Sequence, residues 1–302
     1  MPSKQYKREV IRKLLLPIFL IIAAILYRPA MNFFGMGQAQ TTLTGAPADG
    51  KTLSVYYLDV GQGDATLITK GDFHMLIDAG KSGVTADYLQ ELGIGKLDVL
   101  VGTHPDNDHV GGFDEVLESV EVDTVYMPQM EKDTKACRDI RNALKHAGQI
   151  SEVPEIGKEY TYEDNVIFRF LSPRRQYSDS NNNSLVLQLA YGKTYFLFMG
   201  DAEEEVEDEL LQEGVDLSCD VLKLGHHGSY TATSSAFLKK TDPVYGVISC
   251  GRDNSYGHPH AEVLARLEDE DVQVYRTDTM GTVQAVSDGE SIKLSTEGRK
   301  QQ

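Results

Sequence analysis

A chain of 302 residues with 41% hydrophobic residues and a formal net charge of -17 has the material for a large packed core under an acidic surface. Such a surface repels nucleic acid and anionic membrane over most of its area, which excludes broad non-specific polyanion binding and leaves room only for a local basic groove. Three widely spaced cysteines, Cys137, Cys219 and Cys250, form no C-x-x-C pair; they exclude a disulfide framework and a thiolate metal site, and read as small core residues.

The chain opens with Lys4, Lys7, Arg8, Arg12 and Lys13 ahead of an apolar run, Leu14 to Tyr27. Basic residues before an apolar segment stay in the cytoplasm. Residues 1–13 are therefore expected to be a cytoplasmic tail, and 14–36 a signal anchor that holds everything after it outside the cell membrane. The run is short for a spanning helix, and Ala30 to Met36 lengthens it if Arg28 snorkels. No A-x-A site follows immediately, and no cysteine stands ready for lipid attachment. This favours an uncleaved single-pass anchor over the alternative, a cleaved signal peptide and a secreted product. Residues 37–51, rich in Gln, Thr, Ala and Gly, read as a linker to a domain over 52–297.

From Thr52 short apolar runs alternate with turn signals. Leu53 to Val60, Ala65 to Thr69 and His74 to Ile77 predict strands, with Gly71-Asp72 turning a hairpin. Thr85 to Leu92 predicts a short helix, and Leu97 to Val101 a buried strand. That strand runs into Thr103-His104-Pro105-Asp106-Asn107-Asp108-His109-Val110-Gly111-Gly112, which places four metal-capable side chains within six positions. Imidazole and carboxylate both bind divalent cations, and a loop lets adjacent and alternate side chains converge on one point as a straight strand does not. His104 and Asp106 can reach one ion while Asp108 and His109 reach a second. The two glycines let the backbone pass close by before a helix, Phe113 to Leu117.

Val122 to Met127 predicts a further strand, and Asp133 to Ala147 a helix from the spacing of Ala136, Ile140, Ala143, Leu144 and Ala147. Tyr160 to Leu171, Leu185 to Ala190 and Thr194 to Met199 predict strands, the last ending in Gly200-Asp201 before an acidic helix, Ala202 to Glu213. Val221 to Leu224 and Val244 to Ser249 complete the strands. Meanders followed by strand–helix alternation predict an α/β domain of two mixed sheets sandwiched between helices.

The ligand loop resembles the H-x-H-x-D-H metal motif of the metallo-β-lactamase superfamily, in the variant with Asp at the second His. Taken with Leu58-Asp59-Val60-Gly61-Gln62-Gly63-Asp64-Ala65 upstream and Gly225-His226-His227-Gly228-Ser229 downstream, it is similar to the hydrolase domain of ComEC-type DNA-uptake competence proteins. The resemblance covers residues 52–297 and implies a four-layer αββα sandwich. It implies that Asp201 bridges two metals, where Asp201 alone would serve equally as a helix cap. One of the paired histidines is then a ligand, assigned to His226, and the other, His227, faces the substrate. Asn254-Ser255-Tyr256-Gly257-His258-Pro259 matches a family loop that makes His258 a general acid or a phosphate contact. Asp59, Asp64 and Asp78 end strands where they can orient the ligand loop. One departure stands out: the superfamily's usual histidine before the bridging Asp is replaced by Asn181-Asn182-Asn183-Ser184, so the first metal is weakly held and Mn²⁺ rivals Zn²⁺.

The expected ligands are thus His104, Asp106, Asp108, His109, Asp201 and His226, and the expected catalytic groups Asp108, His227 and His258. Two dications less three carboxylates leave net positive charge for the charge gained in hydrolysis. The expected activity is an exported phosphodiesterase, a nuclease acting on DNA with a competence-type role, served by a separate channel protein because these 302 residues include no long multi-helix region. The alternatives are hydrolysis of a smaller extracellular ester (wall-polymer phosphodiester, cyclic nucleotide or lactone) and a non-catalytic binding module, the last opposed by the full ligand set.

Overall fold

Strands that are apolar on both faces must be covered on both faces, and that requirement organises the domain. The computed structural model describes residues 50–129, 134–162 and 165–298, all within one compact unit, Gln40–Gln302. The expected anchor over 14–36 lies outside the described residues. Among the described residues no helix is long and apolar enough to cross a membrane.

A first antiparallel meander, β1 (Leu53–Tyr57), β2 (Thr66–Lys70) and β3 (Phe73–Ile77), leads through α1 (Val84–Glu91) to β4 (Lys96–Val101). The ligand loop holds a single turn, α2 (Asn107–Val110), followed by α3 (Phe113–Ser119), β5 (Glu121–Tyr126), α4 (Lys135–His146) and β6 (Ser151–Glu152). The second half runs β7 (Glu159–Tyr162), β8 (Val166–Ser172), β9 (Val186–Tyr191), β10 (Thr194–Phe198), α5 (Glu204–Gln212), β11 (Val221–Lys223), α6 (Ser235–Thr241) and β12 (Tyr245–Ile248). It closes with α7 (Ala261–Asp269), β13 (Gln273–Arg276), a turn α8 (Thr277–Met280), β14 (Val283–Ser287) and β15 (Ile292–Thr296).

Among the described residues these strands form two mixed sheets. One has the order β15-β14-β1-β2-β3-β4-β5-β6, the other β13-β12-β11-β10-β9-β8-β7. Period-two alternation sends the two faces of each strand to different cores. In β1, Leu53, Val55 and Tyr57 meet Phe168, Phe170, Phe196 and Phe198 of the facing sheet. Tyr56 of β1 turns the other way, to the core that Leu89, Phe113, Val116, Ile140 and Leu144 bring from α1, α3 and α4. Leu197 of β10 likewise packs with Val206, Phe237 and Val263 of α5, α6 and α7. Three apolar layers between helix, sheet, sheet and helix account for the continuous apolar runs in the sequence. The cysteines Cys137, Cys219 and Cys250 are buried and unpaired.

Some element boundaries differ from the sequence reading. Tyr160 to Leu171 is not one strand: β7 and β8 pair antiparallel with Tyr162 opposite Val166, and Asn165 turns between them at φ +66. The first strand stops at Tyr57; Leu58 N still donates to the Ala65 carbonyl, and Val60 N then turns back to Leu58 O. The helix expected from Asp133 begins at Lys135, capped by the Thr134 side chain, which accepts from Cys137 N. The elements α6, α7, β13, β14 and β15 were not foreseen; β14 returns to pair with β1 and fastens the C-terminal segment to the first sheet.

Candidate metal centre

The site is assembled on loops that follow strand ends. Asp78, just after β3 with φ +58, accepts from Thr103 N at 2.8 Å, from Thr103 Oγ1 at 2.7 Å and from His109 Nδ1 at 2.7 Å. One buried carboxylate thereby fixes the start and the end of the ligand loop. His109 donates from Nδ1, which leaves Nε2 as the nitrogen that can bind a cation once its own proton is lost. The Thr103 hydroxyl has given its hydrogen to Asp78, so toward His104 Nδ1, 3.3 Å away, it can only accept. His104 Nδ1 also meets Ser184 Oγ at 3.4 Å, while His104 Nε2 is buried with no hydrogen-bond partner, as is Asp201 Oδ1. Orphaned buried polar atoms of this kind are costly unless something fills the space between them.

Asp201 divides the site between its two oxygens. Its Oδ1 lies 3.2 Å from His109 Nε2 and 3.5 Å from His227 Nε2. Those two nitrogens are 3.4 Å apart, and His227 Nε2 is 3.6 Å from Asp108 Oδ2. Ligand atoms around a tetrahedral ion with bonds of about 2.1 Å sit roughly 3.4 Å from one another, so this inner set has the spacing of a coordination shell. Asp201 Oδ2 faces the other way, 3.8 Å from His104 Nε2 and 3.8 Å from His226 Nε2, with Asp106 Oδ2 3.8 Å from His104. This outer set is wider and more open: the Asp106 side chain is 46% exposed, against 0% for His104. The residues fit divalent cations in donor type, burial and spacing.

The paired histidines separate because of their backbone. His226 at φ +46 and His227 at φ +54 are successive non-glycine residues in the left-handed region. His227 donates from Nδ1 to Ser249 O at 3.0 Å and turns Nε2 into the inner set. His226, held through Nδ1 by Glu203 Oε1 at 2.8 Å, stands on the outer side. Both border Asp201, and it is His227, expected from sequence to face the substrate, that closes the inner set. Of the asparagine stretch, Asn183 accepts from Tyr177 N and donates to the Tyr177 and Asp179 carbonyls, so both ends of its amide are committed to backbone. Asn181 Nδ2 lies 3.5 Å from His226 Nε2, and Ser184 Oγ accepts from Asp201 N at 3.1 Å and meets His104 Nδ1 at 3.4 Å, so these two members of the stretch reach the site.

The charges respond to this crowding. Burial and the neighbouring His109 pull His104 down to about 4, leaving it a neutral donor at pH 7. Burial also opposes the charged form of His109, but Asp201 and Asp78 outweigh it and push this ring well above the usual histidine range. His227 moves up as well, burial losing to Asp201, Asp108 and Asp64. Asp108, in spite of burial, is held at about 2 by His227 and His109. Burial and repulsion from Asp108 and Asp201 raise Asp106. His258 is brought down to about 4 by burial and by the rings of His227, His226 and His260; its ring centroid is 5.5 Å from that of His226.

Asp64, which the sequence reading set at the margin, belongs to the centre. It joins His109, Asp201 and His227 in one buried group whose ligand-type atoms all lie within 4.8 Å of one another. Its Oδ2 accepts from the buried Lys223 Nζ at 2.8 Å. Gly63 is required just before it, since a Cβ there would strike the Asp108 carbonyl oxygen. Asp59, by contrast, accepts from Gly61 N, and its own N–H donates to Thr282 Oγ1, away from the ligand loop.

A buried His/Asp cluster at the strand ends of a two-sheet sandwich defines a metal-dependent hydrolase. The metallo-beta-lactamase superfamily pattern matches residues 58–252, and the chain belongs to that superfamily. It is related to competence proteins: ComE operon protein 3 of Bacillus subtilis is 32% identical over 251 residues, covering 75% of this chain and 32% of the relative. Competence protein ComA of Neisseria gonorrhoeae is 34% identical over 240 residues, 75% of this chain and 31% of the relative. The chain thus spans about a third of the length of these relatives. The metallo-beta-lactamase fold protein YhfI from Bacillus subtilis shares the fold, with a TM-score of 0.52 at 12% identity over 74% of this chain and 95% of that one.

Proposed function

We propose that the chain is a two-metal phosphodiesterase that cleaves DNA outside the cell, in a competence-type role. The observation that carries the reading is the division of Asp201, each of whose oxygens faces its own pair of imidazoles with a loop carboxylate beside them. His109, His227 and Asp108 would hold one ion and His104, His226 and Asp106 the other, with Asp201 between them. Such ions supply Lewis-acid charge and an acidified water for in-line hydrolysis. Each set offers two imidazoles and a loop carboxylate beside the shared Asp201, a mixed donor set that suits both Zn²⁺ and Mn²⁺.

The chain's own groups divide the remaining work. Asp78 and Ser249 hold the His109 and His227 rings with their lone pairs aimed inward. Asp108, ionised down to about pH 2 and partly exposed, accepts a hydrogen bond from the attacking nucleophile. His258 is uncharged at neutral pH, so it serves the phosphate as a neutral hydrogen-bond partner more readily than as a resident acid.

Relatedness to competence proteins supports DNA as the substrate. The basic tail and apolar run over 1–36 support a membrane tether, with release after cleavage as the alternative, and the reading includes a separate channel protein as partner. A second reading, hydrolysis of a smaller extracellular ester, is favoured by the acidic surface and by the internal pairing of two nearby cations: Lys223 is bound to Asp64 and Arg276 to Asp278. The full chain, stripped of metal and given Mn²⁺ or Zn²⁺, should cleave both linear DNA and bis-p-nitrophenyl phosphate, and Asp108→Ala should abolish both activities. Cleavage of the small diester alone would sink the nuclease reading.

A further inference from the structure

Beside the metal centre four rings run outward in sequence. The Tyr256 ring stacks on His258 with centroids 5.6 Å apart and planes inclined at 21°. His258 meets His260 edge-on at 4.9 Å, and His260 meets Tyr230 at 5.0 Å. The run touches the centre at its second ring, through the 5.5 Å contact of His258 with His226. Its outer members are bare: Tyr256 is 58% and Tyr230 57% exposed. His258, 8% exposed, has a buried Nδ1 without a hydrogen-bond partner.

These rings are held rigidly. Asn254 Oδ1 accepts from Tyr256 N and His258 N, while its Nδ2 donates to the carbonyls of Gly251 and His258. Arg266 of α7 donates to the carbonyls of Tyr230, Ala232 and Thr233, and Tyr230 N donates to His260 Nδ1. Two tyrosines left in water on braced loops, next to a hydrolytic centre, present two preorganised ring faces with the edge-on pair His258 and His260 between them.

We propose that Tyr256 and Tyr230, with His258 and His260, form a stacking platform for unpaired nucleobases next to the scissile phosphate, so that the substrate is single-stranded nucleic acid; this rests on the nuclease reading above. Charge supplies the selective argument. At net charge -17 the phosphate backbone contributes little affinity: the nearby cations Lys223 and Arg276 are held by carboxylates, and Arg252, exposed beside the Asn254–His258 loop, adds one local contact. Stacking is the sequence-independent contribution that remains, and it needs bases whose faces are free of a partner strand.

The test uses the full chain with Mn²⁺, a labelled single-stranded oligonucleotide, its duplex, and bis-p-nitrophenyl phosphate. Wild type should favour the single strand over the duplex by about tenfold or more in kcat/KM. Tyr256→Leu and Tyr230→Leu should each raise KM for the single strand by about fivefold or more with little change in kcat, and Tyr256→Phe should restore it. Equal behaviour of the Leu and Phe variants, or equal cleavage of duplex and single strand, overturns the platform and leaves the nuclease standing. Hydrolysis of the small diester with neither polymer cut overturns both.

Discussion

Replacing Asp78 by Asn tests how far one buried carboxylate sets the metal-binding form of the loop. Asparagine keeps the shape and tolerates φ +58 as aspartate does, so backbone strain is unchanged. Its oxygen can still accept from Thr103 N, but its NH₂ now faces His109 Nδ1, which donated to Asp78 at 2.7 Å. To avoid two opposed donors His109 must give up its Nδ1 proton and keep the one on Nε2, which points at Asp201 Oδ1, 3.2 Å away, and blocks the lone pair. Loss of such an orienting partner costs about 10- to 100-fold in metal affinity. Loss of charge from three short hydrogen bonds costs about 2–4 kcal/mol of metal-free stability. Calorimetric titration with Mn²⁺ and Zn²⁺, alongside urea unfolding of the metal-free protein, reads both quantities. Metal affinity within twofold of wild type would refute the tautomer argument, whatever the change in stability.

Lys223→Met leaves Asp64 buried without its partner, a loss of about 3–5 kcal/mol in urea unfolding; a cost below 1 kcal/mol would show that the pair is not desolvated as its burial indicates. Asn183→Ala strips hydrogen bonds from the Tyr177 and Asp179 backbone and should cost about 2–3 kcal/mol with no change in metal stoichiometry, whereas loss of an ion at unchanged stability would make Asn183 a ligand. The pH dependence of metal binding follows from His109 and His227, whose folded pKa values lie above the unfolded one. Their contribution to metal-free stability is complete below about pH 6.5 and is lost as pH rises through the raised values. A cation competes for the same lone pairs, so the rise in Tm on adding Mn²⁺ should be larger at pH 8.5 than at pH 6; the reverse order would contradict protonation of these rings in the metal-free site.

The strands of the sandwich were readable because both their faces are buried, which leaves apolar runs such as Leu53–Tyr57 and Thr194–Phe198. β14 escaped because buried polar residues interrupt both of its faces, with Gln284 at 1% and Ser287 at 0% exposure. β15 escaped because it is an edge strand that is only half-buried. The ligand loop was legible for a simple reason: its donors are contiguous in sequence. The roles of the paired histidines were not, because a left-handed backbone at two successive non-glycine residues leaves no mark in composition. Asp64 and Lys223 meet across 159 positions, a pairing that only the closure of one sheet over the other reveals.

That closure explains why the chemistry sits where it does. β3, β4 and β5 are parallel in the first sheet, and β10, β11, β12 and β13 are parallel in the second. Asp78 follows β3, the ligand loop follows β4, Asp201 follows β10, His226 and His227 follow β11, and Ser249 and His258 follow β12. Every one of these groups thus lies past the carboxyl end of a parallel strand, where chains leaving one edge together open a crevice. Gly200 lets the second sheet's loop approach the first: a Cβ there would sit 3.0 Å from Thr103 Cβ. The strained histidine pair costs about 1–3 kcal/mol per residue and is held by His226 N to Gly200 O, Ser229 N to His226 O and His227 Nδ1 to Ser249 O. Because those anchors come from the β10, β11 and β12 loops, the second sheet fixes the positions of three of the inner donors, Asp201, His227 and, through Lys223, Asp64. The first sheet supplies His104, Asp106, Asp108 and His109 on a loop braced by Asp78. A cation at Asp201 would tie the two sheets together, so its removal should loosen the interface between them as well as the site.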